Sequence, residues 1–182
     1  MEKTVLLNSE SAERLVTRMA YEIIEDNKGS ENLVMIGIQS RGVLFAKALR
    51  NKIKELEGAE LPLGSIDITF YRDDLTRLMD HPVVRETDVP FAIEDKNIIL
   101  VDDILFSGRT VHAAIKSLFD MGRPSKIRLA VIADRGHHEL PITADYCGRV
   151  VPTSLSEYID ADITDDGIIN KVTIRSKEEN NG

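Results

Sequence analysis

Two aspartates, Asp102 and Asp103, stand side by side at the end of the apolar run that starts at Ile99, and the residues after them, Ile104-Leu-Phe-Ser-Gly-Arg-Thr, are increasingly small and polar. Neighbouring carboxylates can accept from hydroxyl groups or face a hard cation. Ser107, Gly108 and Thr110 allow the backbone to approach a ligand, and a helix opening there would aim its unpaired N–H groups at an anion, such as a phosphate. Acceptors for hydroxyls beside donors for a phosphate are what a sugar phosphate needs. Two competing readings lack their partner motif. A strand ending in two acids also occurs in P-loop ATPases, but G-x-x-x-x-G-K-[ST] is absent, and so is the G-x-G-x-x-G of dinucleotide sites. His137 and His138 are adjacent on a loop without cysteine nearby, a weak basis for a metal pair.

The surrounding pattern is that of a scaffold suited to such a site. Leu15, Val16, Met19, Ala20, Ile23 and Ile24 recur at helical spacing and predict a helix over Ser9–Asn27, stopped by Lys28-Gly29. Leu33–Ile38 is a strand buried on both faces, followed by a helix after Gly42 through Val43, Leu44, Ala46, Leu49 and Ile53. Ile66, Ile68 and Phe70 alternate with Asp67, Thr69 and Tyr71, the period of a strand with one wet face. Periodicity fails between Arg72 and Lys96, around Pro82 and Pro90, which reads as a long loop or hairpin, either functional or a surface excursion. A strand over Asn97–Asp102, a helix over Thr110–Met121 and a strand over Lys126–Ala133 follow. Further strands fall at 146–151, 156–160 and 168–175, the last two joined by a turn at Asp165-Asp166-Gly167. Helices alternating with buried strands predict an α/β fold with a mostly parallel sheet covered on both faces. In such sheets ligands bind beyond the carboxyl ends of the strands.

Length and composition fit one domain spanning residues 1–182, with 42% hydrophobic and 30% charged residues and no run long enough to span a membrane. The first residues lack the basic flank and apolar stretch of a secretory signal, and Cys147, the only cysteine, excludes an internal disulfide, so a cytoplasmic location is expected. A net charge of −8 repels nucleic acid at long range, so any RNA contact needs a local basic surface. The stretch 121–150, with Arg123, Lys126, Arg128, Arg135 and Arg149, is mildly basic. Apolar residues beyond the needs of one core point to self-association as a dimer or tetramer.

The segment from Ile99 to Thr110 resembles the phosphoribosyl pyrophosphate (PRPP) signature of type I phosphoribosyltransferases. More of the chain is similar to the bifunctional pyrimidine operon regulator/uracil phosphoribosyltransferase family. That likeness runs through Leu15-Val-Thr-Arg-Met-Ala, Val34-Met-Ile-Gly-Ile-Gln-Ser-Arg-Gly, Ile66-Asp-Ile-Thr-Phe-Tyr-Arg-Asp-Asp-Leu, Asp134-Arg-Gly-His-His-Glu-Leu-Pro-Ile and Val151-Pro-Thr-Ser. The resemblance implies the type I fold, with a flexible loop at about 72–96 and a small hood at about 134–160 completed by the C-terminal strands. It implies that Asp102 and Asp103 hold the ribose hydroxyls, with Mg2+ carried by PRPP and water near them. Ile104, Leu105, Phe106, Ser107, Gly108, Arg109 and Thr110 would wrap the 5′-phosphate, and Ser40, Arg41 and Gly42 would form the pyrophosphate loop. Arg72 would be the phosphate contact of a lid. Arg135 and His137 would belong to the hood over the base, Arg135 either meeting pyrophosphate or pairing with Asp134.

The resemblance also implies a second activity, binding of pyrimidine-operon leader mRNA in response to the uridine nucleotides UMP or UTP. Arg14, Thr17, Arg18, His138 and Arg149 match the family's RNA-contacting positions, with a solvated helix face as the alternative for Arg14 and Arg18. Tyr21 stands where relatives commonly have histidine, and His138 and Thr143 where they usually have arginine. RNA control is therefore expected to be weakened or altered beside intact catalysis. Transfer to a purine or to orotate also fits the PRPP signature, but the hood sequence disfavours it.

Overall fold

The computed structural model describes residues 3–69 and 86–176. In chain order the elements are β1 (Lys3–Asn8), α1 (Ser9–Asp26), β2 (Leu33–Ile38), α2 (Arg41–Glu57), β3 (Leu63–Ile66), β4 (Asn97–Leu105), α3 (Arg109–Met121), β5 (Lys126–Asp134), β6 (Tyr146–Val150), β7 (Glu157–Ile163) and β8 (Ile169–Ser176). Five strands form one sheet in the order β3-β2-β4-β5-β6, and every neighbouring pair is parallel. Strand side chains alternate between faces. Leu33, Met35, Ile99, Val101, Ala130 and Ile132 therefore pack with Met19 and Ile23 of α1 and Phe45 and Leu49 of α2, whereas Val34, Ile36, Ile98, Leu100 and Val131 pack with Val111, Ala114 and Leu118 of α3. The helices thus cover both faces, as the apolar runs require. No helix among the described residues is long and apolar enough to cross a membrane.

A second sheet, antiparallel in the order β1-β8-β7, sits over α1 and α2 through Ile159, Ala161, Ile169 and Val172. Its strand β1 has no counterpart in the sequence reading. The turn expected at 165–167 closes β7 onto β8 and is fastened to α2: Lys47 Nζ donates to the Asp165 carbonyl at 2.9 Å and Asn51 Nδ2 to that of Asp166 at 3.2 Å. Gly167, at φ +87°, sits so close that a Cβ would lie 2.6 Å from the Ala48 nitrogen. At the C-terminal end of α1, the Tyr146 hydroxyl donates to Asp26 at 2.5 Å and accepts from Asn27 at 3.1 Å. Burial and the Asp26 hydrogen bond push this phenol up to about 12, so it remains a neutral donor.

Three expectations need correction. The strand placed at Ile66–Tyr71 begins earlier and ends at Ile66, because the Asp67 carboxylate accepts both the backbone N–H of Thr69 (2.9 Å) and its hydroxyl (2.5 Å), a local bond that competes with a ladder. Phe70, Tyr71 and Arg72 lie outside the described residues, as does the rest of the proposed lid to residue 85. Residues 86–96 are not lid-like: Ser65 and Asp88 exchange backbone hydrogen bonds of 2.7 and 2.9 Å, and Ile93 is buried in the core on the α3 side. Finally, β4 continues past Asp102 to Leu105, with Ile104 paired to Ala133 and Leu105 to Asp134.

Candidate active site

Because β4 is longer than the apolar run alone suggests, the acid pair lies within its last turns of pleat rather than after its end. Neighbouring strand residues face opposite ways. Asp103 takes the side of α2, where Arg41 Nη1 is 4.0 Å from its Oδ2, and Asp102 is only 8% exposed. Asp102 Oδ1 accepts the N–H of Asp103, and Asp103 Oδ1 that of Ile104, each at 2.9 Å, which stiffens both carboxylates. Phe106, Ser107 and Gly108 then turn the chain, Gly108 at φ +88°, and α3 starts without a side-chain cap or an acid in its first turn. Helix N-termini leave several N–H groups without intrahelical partners and favour negative charge. The Ser107 hydroxyl takes the N–H of Arg109 at 3.3 Å, and the Arg109 side chain is directed to Glu139, with Nε 2.6 Å from Oε2.

The second mouth is the start of α2, where the Gln39–Ser40 peptide is cis and Ser40 makes no side-chain cap. A Cβ on Gly42 would lie 2.5 Å from the Val101 carbonyl oxygen and 3.1 Å from the Asp102 Cα. The glycine therefore lets α2 rest on β4 beside the acid pair. Gly42→Ala should destabilise the protein by about 2 kcal/mol through overpacking, checked by the midpoint of urea unfolding at unchanged m-value. Arg41, half exposed, reaches Asp160 of β7, which also pairs with Arg175 of β8. Neither Asp160 nor Arg175 stands out in the sequence, since each is one polar position in an alternating strand.

The loop after β5 converges on Phe106. Arg135 is buried and donates from Nε to Thr153 Oγ1 (2.9 Å) and from Nη2 to the carbonyls of Ser154 (3.2 Å) and Glu157 (2.5 Å). Its guanidinium carbon lies 4.1 Å from the centre of the Phe106 ring. Burial holds its pKa below the usual arginine value, opposed by the nearby Glu157 charge, and a guanidinium stays protonated throughout. The alternative in which Arg135 pairs with Asp134 is corrected: Asp134 Oδ1 accepts instead from the Gly136 N–H (2.9 Å) and from His138 Nε2 (2.8 Å). His137, at φ +64°, donates from Nε2 to the Thr153 carbonyl at 2.7 Å and sets its ring edge-on to Phe106, centroids 5.5 Å apart. Phe106 keeps 36% of its surface exposed beside the turn that leads into α3.

No group of three His, Cys, Asp or Glu side chains among the described residues could hold a metal ion by itself. The oxygens of Asp102 and Asp103 are hard donors, suited to a Mg2+ ion that completes its shell with substrate oxygens and water.

The phosphoribosyl transferase domain model matches residues 3–155. The chain is 53% identical over 157 residues to the bifunctional protein PyrR of Deinococcus radiodurans, covering 86% of each, and 49% identical over 179 residues to that of Acetivibrio thermocellus, covering 98% of this chain and 97% of the other. The chain belongs to the PyrR family. The hypoxanthine phosphoribosyltransferase of Trypanosoma cruzi shares the fold, with a TM-score of 0.72 at 19% identity over 96% of this chain and 97% of that one.

In this PyrR-family chain the positions matched to RNA contact are spread over α1, the β5–β6 loop and β6. A shallow groove of about 400 Å³ on α1 is lined by Glu10, Glu13, Arg14, Thr17, Arg18 and Tyr21. Arg14 pairs with Glu10 at 2.8 Å, and Arg18 with Glu22 at 2.7 Å and with the Gly148 carbonyl at 2.6 Å. The Thr17 hydroxyl donates to the Glu13 carbonyl at 2.9 Å. Arg149 donates to the Leu6 carbonyl at 2.7 Å, so it ties β6 to β1. Each cation on this PyrR surface is engaged within the chain.

Proposed function

We propose that this PyrR-family chain transfers ribose 5-phosphate from PRPP to uracil, giving UMP and pyrophosphate, and that with a bound uridine nucleotide it binds pyrimidine-operon leader RNA. The observation that carries the catalytic reading is the stiffened Asp102–Asp103 pair flanked by two helix mouths, α3 for the 5′-phosphate and α2 for the pyrophosphate. As the bond from C1′ to pyrophosphate breaks and the bond to the pyrimidine nitrogen forms, positive charge develops on the sugar and negative charge on the leaving group. The chain's task is then to orient and to stabilise charge; no covalent nucleophile is needed. Asp102 and Asp103 hold the ribose hydroxyls, the turn from Leu105 to Thr110 holds the 5′-phosphate, and Arg41 faces the pyrophosphate. A Mg2+ ion carried by PRPP would be held near Asp102 and Asp103 and would supply positive charge to the leaving group. Phe106, steadied by Arg135 and His137, offers its exposed surface to the base. Pyrophosphate release from PRPP with uracil, hypoxanthine or orotate tests this reading: uracil should support turnover, and equal turnover with hypoxanthine would overturn the base assignment.

The α1 groove favours weakened RNA control. Glu10, Glu13 and Glu22 surround Arg14 and Arg18, and His138 and Thr143 hold no fixed charge. We expect UMP-dependent binding of labelled leader RNA to strengthen when His138→Arg and Thr143→Arg are combined. The slope of log affinity against log salt should steepen by about 1.4, at about 0.7 per phosphate contact on a single strand. An unchanged slope would place RNA contact elsewhere.

A further inference from the structure

Asp160 belongs to neither the acid pair nor the phosphate turn, yet two arginines converge on it. Its Oδ1 lies 2.7 Å from Arg41 Nη1 and its Oδ2 lies 2.7 Å from Arg175 Nη2. The side chain is 17% exposed, against 47% for Arg41. Tyr158 pairs with Arg175 and Asp160 with Thr173, so Asp160 and Arg175 are diagonal neighbours on one face of the antiparallel sheet. The Arg41 Nη1 that Asp160 holds is also 4.0 Å from Asp103 Oδ2. Charge-assisted contacts of this kind are short and directional.

The base from which Asp160 reaches Arg41 is fixed. The turn between β7 and β8 is fastened to the middle of α2 at Lys47, Ala48 and Asn51, one to three turns along the helix from Arg41. An arginine left to itself samples many rotamers and must be ordered when the leaving group departs. Here one guanidinium nitrogen is held by Asp160, and the group has further N–H donors to offer.

We propose that Asp160 is a positioning residue for pyrophosphate departure, holding Arg41 beside Asp103 while Arg175 keeps Asp160 from turning away. This rests on the reading of Arg41 as the pyrophosphate contact. The test varies PRPP at saturating uracil for Asp160→Asn, Asp160→Glu, Arg41→Ala and the Asp160→Asn/Arg41→Ala double variant, and measures binding of inorganic pyrophosphate to each. Asp160→Asn should lower kcat/KM for PRPP about tenfold through lost preorganisation, leave KM for uracil unchanged, and be partly rescued by Asp160→Glu. In the Arg41→Ala background the same change should cost less than about twofold, because both act through one contact. A full additional loss in that background, or unchanged PRPP kinetics in Asp160→Asn while Arg41→Ala is impaired, would overturn the proposal. Normal PRPP kinetics and pyrophosphate binding in Arg41→Ala would instead remove Arg41 from the site, and the role of Asp160 with it. Should Asp160→Asn fail to fold, Arg175→Gln, which keeps the Asp160 charge but not its restraint, should lower the same parameter about threefold; no change would overturn the proposal.

Discussion

Replacing Asp103 with asparagine lowers turnover about 10²-fold at saturating PRPP and uracil, the scale of losing one electrostatic contact in a preorganised site. The substitution keeps the size of the side chain, and the amide oxygen can still accept the Ile104 N–H that Asp103 Oδ1 now takes at 2.9 Å. Stability should therefore change by less than about 1 kcal/mol, within the net worth of one hydrogen bond. What disappears is a negative charge in a largely enclosed position, 19% exposed, where solvent screens it poorly. That charge is most useful when the sugar becomes positive, so the loss falls on kcat as well as kcat/KM. A rise confined to KM would instead assign Asp103 to ground-state binding of the ribose. Unchanged steady-state kinetics, with a normal melting profile, would remove it from the mechanism.

The acid pair and the turn after it are readable because both are local: apolar strand, acids, small residues and helix start follow within one continuous segment. The same holds for the parallel sheet, whose strands at Leu33–Ile38 and from Asn97 are apolar on both faces. What escapes is non-local. Strand β1 gains its identity only from pairing with β8, which joins the two ends of the described chain, and nothing in Lys3–Asn8 specifies that partner. Asp67 looks like the wet position of a strand, and only its side-chain bonds to Thr69 show that it ends one. The Arg41–Asp160–Arg175 contacts join α2, β7 and β8 and leave no spacing to detect. The need for glycine at position 42 is likewise non-local, since it follows from how closely α2 crosses β4.

Arg135 is where that difference has the largest consequence, because an arginine just after a strand end invites assignment as a ligand contact. Its guanidinium donates from Nε and Nη2 to Thr153, Ser154 and Glu157, with Phe106 against its face. Arg135→Met keeps a long flexible side chain but removes all of those donors, and should cost about 3 kcal/mol, since bonds from a charged donor contribute about 1.5–3 kcal/mol each and water replaces some of them. For a chain of this size the melting temperature should fall by about 6–12 °C. Arg135→Lys should recover less than half of the loss, because a single ammonium cannot reach three acceptors in one plane or stack on Phe106 as a guanidinium does. The base site should loosen with it: His137 and Phe106 both lean on this brace, so KM for uracil should rise more than KM for PRPP. If Arg135→Met melts normally and loses only kcat, the arginine acts on the pyrophosphate directly, and the segment 153–157 holds its shape without it.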